Sequence, residues 1–331
     1  MRPDLPYIRS GKGDVPRWNR LSDFFFFSYG ERVQKIPLDA GFSCPNRDGT
    51  LSSAGCIFCN PLGSGTGLGS QGMDFSAQWQ ERYPHFYAKG IRLFIAYLQS
   101  FSNTYGPLEK LAAALDGLKT LPGIAGLAIG TRPDCVDADK LSLIAETCEI
   151  QGWRERWLEL GVQSSNEATL ARINRGHNLA CAEEAIAQAA SAGLDVCVHL
   201  IAGLPGEGVN EFLDSVRWAS RQPIKGIKFH CLYVCRGSAL ETSFMQGEYV
   251  PLTQADYIDV ISEALPLLRP DIVVQRIVGD PAPGELVAPE WASCMGETPN
   301  KILAELVRRE TWQGKEFTGG ATHSAENLLS V

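Results

Sequence analysis

Residues 41–60 hold three cysteines, Cys44, Cys56 and Cys59, with eleven residues between the first two and two between the last pair. A C-x-x-C pair bites neighbouring coordination positions on one metal centre. Pro45, Gly49 and Gly55 let the loop that carries Cys44 turn back sharply. Iron–sulfur clusters are normally held by four cysteines. Three thiolates with no local fourth leave one position open, the mark of a reactive centre rather than a structural one. Other readings stand beside this one. A lone C-x-x-C is often half a zinc site or a thioredoxin-like redox pair. Structural zinc would want a fourth ligand, and the nearest candidates, His85 and Cys135, lie far along the chain. A redox pair has no use for Cys44. On residues alone, a cluster, zinc, a redox pair and plain structural cysteines all stay open.

Further polar residues fall where apolar runs end. Gln99, Ser100, Asn103 and Tyr105 follow one run, and residues 131–135 follow the next. Glu159 stands inside a third, which Gln163, Ser164 and Ser165 leave, with residues 174–177 beyond. Residues 203–207 follow a fourth, and His230 and Tyr233 lie in a fifth. Taken singly, each has a plainer account. Glu159 reads as a buried carboxylate paired with an arginine, Arg175 and His177 as caps of the following helix, and residues 203–207 as a turn. Their agreement in position is what points to function. His199 and His230 read as core or wall histidines. Cys148, Cys181 and Cys197 read as inert small residues. Cys135, Cys231, Cys235 and Cys294 are less easily dismissed, and Cys135 follows a strand end that faces the site.

The elements that must position these residues form a rhythm. A strand over 32–40 runs into the cysteine loop. Helices over 74–89, 107–119, 138–149, 179–192, 208–221 and 254–268 each precede a strand: 92–98, 124–130, 156–162, 194–201, 226–234 and 272–277. Apolar runs of strand length alternating with longer amphipathic stretches predict βα units and a parallel sheet. Pro107 at a helix start and Gly193 just past a helix end fit the usual punctuation. The count of units suits a partial or full (β/α) barrel of the TIM type. Such barrels place chemistry on loops after the strand C-termini, and the cysteine loop follows the first strand. Residues 1–22 read as an irregular arm. The Phe24–Phe27 run reads as a buried element or docking surface, too short for an anchor. The glycines of 61–72 match neither the phosphate-binding nor the dinucleotide-binding spacing; a flexible loop over the cysteines is the better reading. No sequence repeat and no low-complexity linker divides the chain. The organisation expected is an arm over 1–31, a barrel over 32–278 and a C-terminal extension over 279–331.

The chain has 331 residues, 44% hydrophobic and 21% charged, an ordinary globular composition. No apolar run is long enough to span a membrane, and the N-terminus lacks a signal pattern. Ten irregularly spaced cysteines argue for a reducing compartment, the cytoplasm. The net charge of -8 weighs against a generally basic surface for nucleic acid, although Arg154, Arg156, Arg172 and Arg175 are concentrated enough for a local patch.

These residues resemble radical S-adenosylmethionine (SAM) enzymes, and within them the YhcC/YtqA-like group related to the Elongator-type radical SAM proteins. The likeness runs from about Arg32 to about Gly314. It is carried by residues 36–50, 55–60, 94–105, 129–135, 158–164, 173–177 and 203–207. The long interval between Cys44 and Cys56 departs from the usual superfamily spacing but suits this group. The resemblance implies a [4Fe–4S] cluster on Cys44, Cys56 and Cys59, with SAM on the fourth iron through its amino and carboxylate groups. One electron would cleave SAM to methionine and a 5′-deoxyadenosyl radical that abstracts hydrogen from a substrate. It places Gln99 and Ser100 at the amino group of SAM, Glu159 and Gln163 at its ribose, and Arg175 at its carboxylate, where bidentate pairing makes sense. Gly203 and Gly206 would let backbone approach the adenine. The segment 230–235 keeps the family's His-x-Leu start but has Tyr233 where a second histidine is expected and Cys235 where a leucine is. The resemblance also implies an electron donor such as flavodoxin or ferredoxin, and a tRNA wobble-uridine side chain as substrate. The alternatives are a small metabolite or protein substrate, which suits the charge better, and a zinc-stabilised module without catalysis. An auxiliary cluster has no spacing to support it.

Overall fold

Seven parallel strands pair in the order of the chain. They are β1 (Val33–Leu38), β2 (Leu93–Leu98), β3 (Ile124–Thr131), β4 (Glu155–Gln163), β5 (Asp195–Ala202) and β6 (Gly226–Cys231), then, past the two-residue β7 (Val234–Cys235), the seventh strand β8 (Val273–Arg276). The computed structural model describes Pro6 and residues 16–60, 63, 67–293 and 296–319. The first and last strands of the sheet do not pair with each other. They do face each other: Lys35 Nζ of β1 donates to Gln275 Oε1 of β8 at 2.6 Å. The sheet is therefore curled into a partial barrel.

Side chains alternate between its two faces, as strand geometry requires. Ile36, Leu38, Phe94, Ala96, Leu98, Leu127, Ile129, Leu158, Leu160, Val196, Val198, Leu200, Ile227 and Phe229 point outward into one apolar layer. Helices α2 (Phe75–Ala88), α3 (Leu108–Leu118), α4 (Ala138–Ile150), α6 (Leu179–Ser191), α7 (Val209–Arg221) and α9 (Gln254–Leu267) cover that layer. The residues between the outward ones line the barrel. At the N-terminal end of the strands the lining is apolar. Phe24 and Phe25 of α1 (Leu21–Tyr29) plug it, packed with Ile95, Ala128, Trp157 and Cys197. Higher up, the lining turns polar.

Every long element of the sequence reading is present within one or two residues, and four points differ. The described part of the expected arm runs into α1, which packs against both β1 and β8 beneath the gap between them. Its phenylalanines are the buried element expected, although Phe27 is exposed. The sixth strand stops at Cys231 instead of reaching residue 234. Val234 and Cys235 pair antiparallel with β9 (Leu286–Ala288), so the chain leaves the barrel wall at Tyr233. Two short helices, α5 (Glu167–Arg172) and α8 (Ala239–Met245), sit in stretches read as loop. They are too short to show a period. The extension carries α10 (Glu297–Arg308), whose buried Ile302 and Leu306 lie on its packed side against α9. Gln313 ties the chain ends together: it donates to Ile272 O at 2.8 Å and its Oε1 accepts from Asn19 N at 2.9 Å.

Candidate functional site

The loop after β1 brings Cys44, Cys56 and Cys59 to the wall of one cavity of about 700 Å³ that runs from this loop down past Glu159 and Lys35. The loop is held by its own backbone. Arg47 N and Asp48 N donate to Cys44 O, Cys59 N donates to Cys56 O, and Gly55 N donates to Asn46 O. Ile57 N donates to Ile173 O, which fixes the C-x-x-C turn to the segment after β4. Asn46 Nδ2 points at Cys56 Sγ at 3.5 Å and at Asn174 O at 2.5 Å. Arg175 Nη1 donates to Cys56 Sγ at 3.3 Å, and Arg175 Nε to Gly161 O at 3.0 Å. The Cys59 thiol and then the Arg175 charge hold the buried Cys56 thiol well below its ordinary range, favouring the thiolate. Among the described residues no three His, Cys, Asp or Glu side chains converge on a point that would hold a single metal ion. A cube of four irons asks less convergence of its thiolates than one ion does.

Three observations test the fit of a [4Fe–4S] cluster and SAM. The donor set is thiolate, the ligand that such clusters take. Arg132 is 2% exposed and lines the cavity, and its Nη1 has no partner although Nε and Nη2 are bound to Asp134 at 2.9 and 2.8 Å. An orphaned guanidinium N–H beside the cysteines suits an anionic group. Gly161 leaves a cradle: a Cβ there would stand 2.8 Å from both Arg175 Nη2 and Gln163 Nε2. The residues present fit the group.

Gln163 has φ 81°, a left-handed backbone that costs a non-glycine residue energy and marks functional sites. It ends β4 at an irregularity in the pairing with β5. The kink turns Gln163 into the cavity, beside Gly161 and Arg175.

Below the cysteines the lining is charged. Glu159 is fully buried at the centre. Its Oε1 accepts from Lys35 Nζ at 2.7 Å, and its Oε2 accepts from Lys228 Nζ and from His199 Nε2 at 3.2 Å. Lys228 Nζ also donates to Tyr97 Oη at 3.2 Å. Register builds this layer, with His199 opposite Lys228 across β5 and β6, and Lys228 opposite Arg276 across β6 and β8. Burial alone would raise the Glu159 carboxyl, but Lys228 and Lys35 hold it well below the usual carboxylate range. Burial pushes Lys228 down to about 8 despite Glu159, and burial with the Lys228 charge pushes His199 down to about 4.

Of the residues expected in the site, Cys44, Cys56, Cys59, Gln99, Glu159, Gln163 and Arg175 share this cavity. Ser100, Gly203 and Gly206 are outside its lining. Ser100 is fully buried with its Oγ unpartnered. At Gly206 the close neighbour is Arg172, whose Nη1 would lie 1.3 Å from a Cβ. The plainer readings of three residues fall. Glu159 pairs with two lysines and a histidine rather than an arginine, and Asn178, not Arg175 or His177, caps α6 by accepting from Cys181 N at 2.9 Å. Cys135 is buried away from the cavity, whereas Cys231 and Cys235 line it. Cys235 Sγ donates to Glu285 Oε1 at 3.2 Å. Cys148 and Cys197 pack in apolar clusters as expected, and Cys294 and Gly65 lie outside the described residues. The sequence reading missed Lys35, Tyr97, Lys228 and Gln275. Lys228 carried a signal, a lysine between Ile227 and Phe229 in a strand. The four arginines are divided: Arg154, just before β4, stacks on Tyr29 at 4.7 Å and Arg156 is the second residue of that strand, whereas Arg172 sits past its far end and Arg175 is buried.

Comparison with known proteins gives the same picture. The Radical SAM superfamily domain matches residues 53–219, and the Radical_SAM C-terminal domain matches residues 224–308. The protein YtqA of Bacillus subtilis is 33% identical over 314 residues, covering 95% of each chain. YhcC of Escherichia coli is 36% identical over 263 residues, 80% of this chain and 84% of that one. Elongator complex protein 3 of mouse is 29% identical over 160 residues, 47% of this chain and 28% of that one. The solved structure of archaeal Methanocaldococcus infernus Elp3 shares the fold with a TM-score of 0.66 at 18% identity, over 85% of this chain and 64% of that one. With the curled parallel sheet and the cysteine loop after its first strand, these matches place the chain in the YhcC/YtqA-like branch of the radical SAM superfamily of iron–sulfur, SAM-dependent enzymes.

Proposed function

We propose that this cavity holds a [4Fe–4S] cluster on Cys44, Cys56 and Cys59 with SAM beside it, and that the enzyme abstracts hydrogen from a substrate seated below. The observation that carries this reading is the opening of the three thiols onto the cavity that Arg175 and Gln163 line. The bound pair supplies one-electron cleavage of SAM and hydrogen-atom abstraction. The chain's own residues do the rest. Arg175 and Asn46 point donors at Cys56 Sγ, which stabilises thiolate charge and raises the potential of a centre bound there. Arg132 Nη1 and the groups around the Gly161 cradle receive the polar end of SAM, and Gln99 takes part at its amino group. The walls exclude water from the reacting atoms. A donor of the flavodoxin or ferredoxin class supplies the electron in the cytoplasm. All nine described cysteines are free, which suits a reducing compartment, and no described helix is long and apolar enough to cross a membrane. Anaerobic reconstitution tests the reading: the expected result is an iron-containing protein that turns SAM into 5′-deoxyadenosine under a low-potential reductant. A protein that takes up iron and leaves SAM intact would overturn it.

Two substrate readings follow. A tRNA wobble-uridine side chain is supported by the partial likeness to Elongator complex protein 3. Its test is a comparison of modified nucleosides in tRNA from cells with and without the gene, and an unchanged profile removes it. A small metabolite or protein substrate is favoured by the separation of the arginines and by the net charge of -8.

A further inference from the structure

We propose that the floor of the cavity binds the anionic group, a carboxylate or a phosphate, of a small substrate. The inference rests on the SAM-cleaving reading and supplies its substrate class. Lys35, Lys228 and Arg276 face the floor against one buried carboxylate, Glu159. The other acids nearby are at the rim. Asp280 stays 3.9 Å from Arg276, and both are partly exposed. Glu285 is engaged by Asn60 Nδ2 at 2.7 Å, Cys235 Sγ at 3.2 Å and Ala282 N at 2.8 Å. The floor therefore carries an excess of positive charge.

It also carries an excess of donors. Gln275 Nε2 and His230 Nε2 are buried and have no partner. Lys35 Nζ uses two of its three protons, on Glu159 and on Gln275 Oε1. His199 and His230, 5.4 Å apart, are both held neutral by burial first and by the neighbouring cations, so they add no charge; the one N–H of His199 is spent on Glu159, and His230 Nε2 is the imidazole nitrogen left unpartnered. Buried donors without acceptors cost stability unless a ligand satisfies them. An anion bridging Lys35, Gln275 and Arg276 would do so and would offset the repulsion among the cations. The rim arginines belong to the SAM end of the cavity, where Arg132 keeps one unpartnered N–H. Arg175 is committed to Gly161 O and Cys56 Sγ, and Arg132 is committed in large part to Asp134.

Size sets the class of ligand. About 700 Å³ is the volume of a single small-molecule site, and SAM must share it. Among the described residues, Phe24 and Phe25 pack across the barrel beneath the floor. A small anion-bearing molecule fits that space, and a nucleic-acid backbone does not.

The test uses the full chain purified anaerobically with its iron, with inorganic phosphate and succinate as probes and the thermal midpoint as readout. The wild-type midpoint should rise with one probe, and the stronger probe assigns phosphate or carboxylate. In Lys35→Met and in Arg276→Gln the concentration needed for the same rise should increase about tenfold or more, while Arg175→Gln keeps the wild-type response. Arg276→Gln removes a partly exposed side chain and guards against misfolding of the Lys35 variant. An anion-insensitive wild type, an unaltered response in Lys35→Met and Arg276→Gln, or loss only in Arg175→Gln would each overturn the assignment. Formation of 5′-deoxyadenosine is measured separately. Its absence sinks the SAM reading, whereas SAM cleavage by an anion-insensitive protein sinks this one alone.

Discussion

The cysteine rim and the charged floor face each other across one cavity, yet they are assembled from different material. The rim is loop: residues 44–59 carry three thiols within one turn of chain, steadied by backbone hydrogen bonds and by Asn46 and Arg175. The floor is strand: Lys35, Glu159, His199, Lys228 and Gln275 come from five strands and meet only because the sheet curls. Chemistry at the rim thus depends on local spacing, and at the floor on register. Damage should follow the same division. Rim changes should silence activity in a folded protein, while floor changes should first weaken the fold.

The largest effect separates the two regions outright. Cys44→Ala, Cys56→Ala and Cys59→Ala should each abolish SAM cleavage while the circular dichroism of the barrel is kept. Cleavage retained in any one removes that residue from the ligand set. At the floor, Glu159→Ala leaves the buried Lys228 and the half-buried Lys35 facing each other without their counter-ion. It should destabilise the protein by about 3–5 kcal/mol, read by urea denaturation; a loss below about 1 kcal/mol would mean that water screens the lysines.

The pH dependence sharpens the floor further. His199 titrates near 4 in the fold against an ordinary 6.5. Between those values the unfolded chain binds the extra proton, so stability rises with pH and is lost as pH falls from 6.5 towards 4. The contribution is about 3 kcal/mol, and His199→Gln should flatten that part of the stability profile. A profile of unchanged slope would show that His199 is not held neutral. At the rim, Arg175→Lys keeps the charge but loses the fork that reaches Gly161 O and Cys56 Sγ together. SAM cleavage should fall about 10–100-fold with little change in denaturation midpoint. The smallest effect lies outside both regions. Asn178→Ala removes the cap of α6 and should cost about 1 kcal/mol without altering SAM cleavage; a larger activity loss would tie α6 to the rim.

Legibility in the sequence followed the same line. The βα rhythm was readable because helices of eleven to fourteen residues and strands of six to nine show their periods. The exit of the chain from β6 was not, since residues 226–234 look like one apolar run. Only the antiparallel partner Leu286–Ala288 takes Val234 and Cys235 away. Glu159 stood out as a carboxylate in an apolar strand, but its partners did not. Lys35 lies 124 residues away and Lys228 lies 69 away, and nothing local links them. The arginines that looked like a patch are divided between the two ends of one strand, because nine residues of extended chain carry Arg154 and Gln163 far apart.

By itself the sequence determined the order of elements, the cysteine loop after the first strand and the kinship that these imply, because each is written in spacing over a few tens of residues. The tertiary structure alone decided which polar groups meet inside the barrel, which of the expected residues reach the cavity, and where positive charge is left uncompensated. Those outcomes depend on the curl and register of the sheet, which sum small twists over seven strands, and no short stretch of chain records that sum.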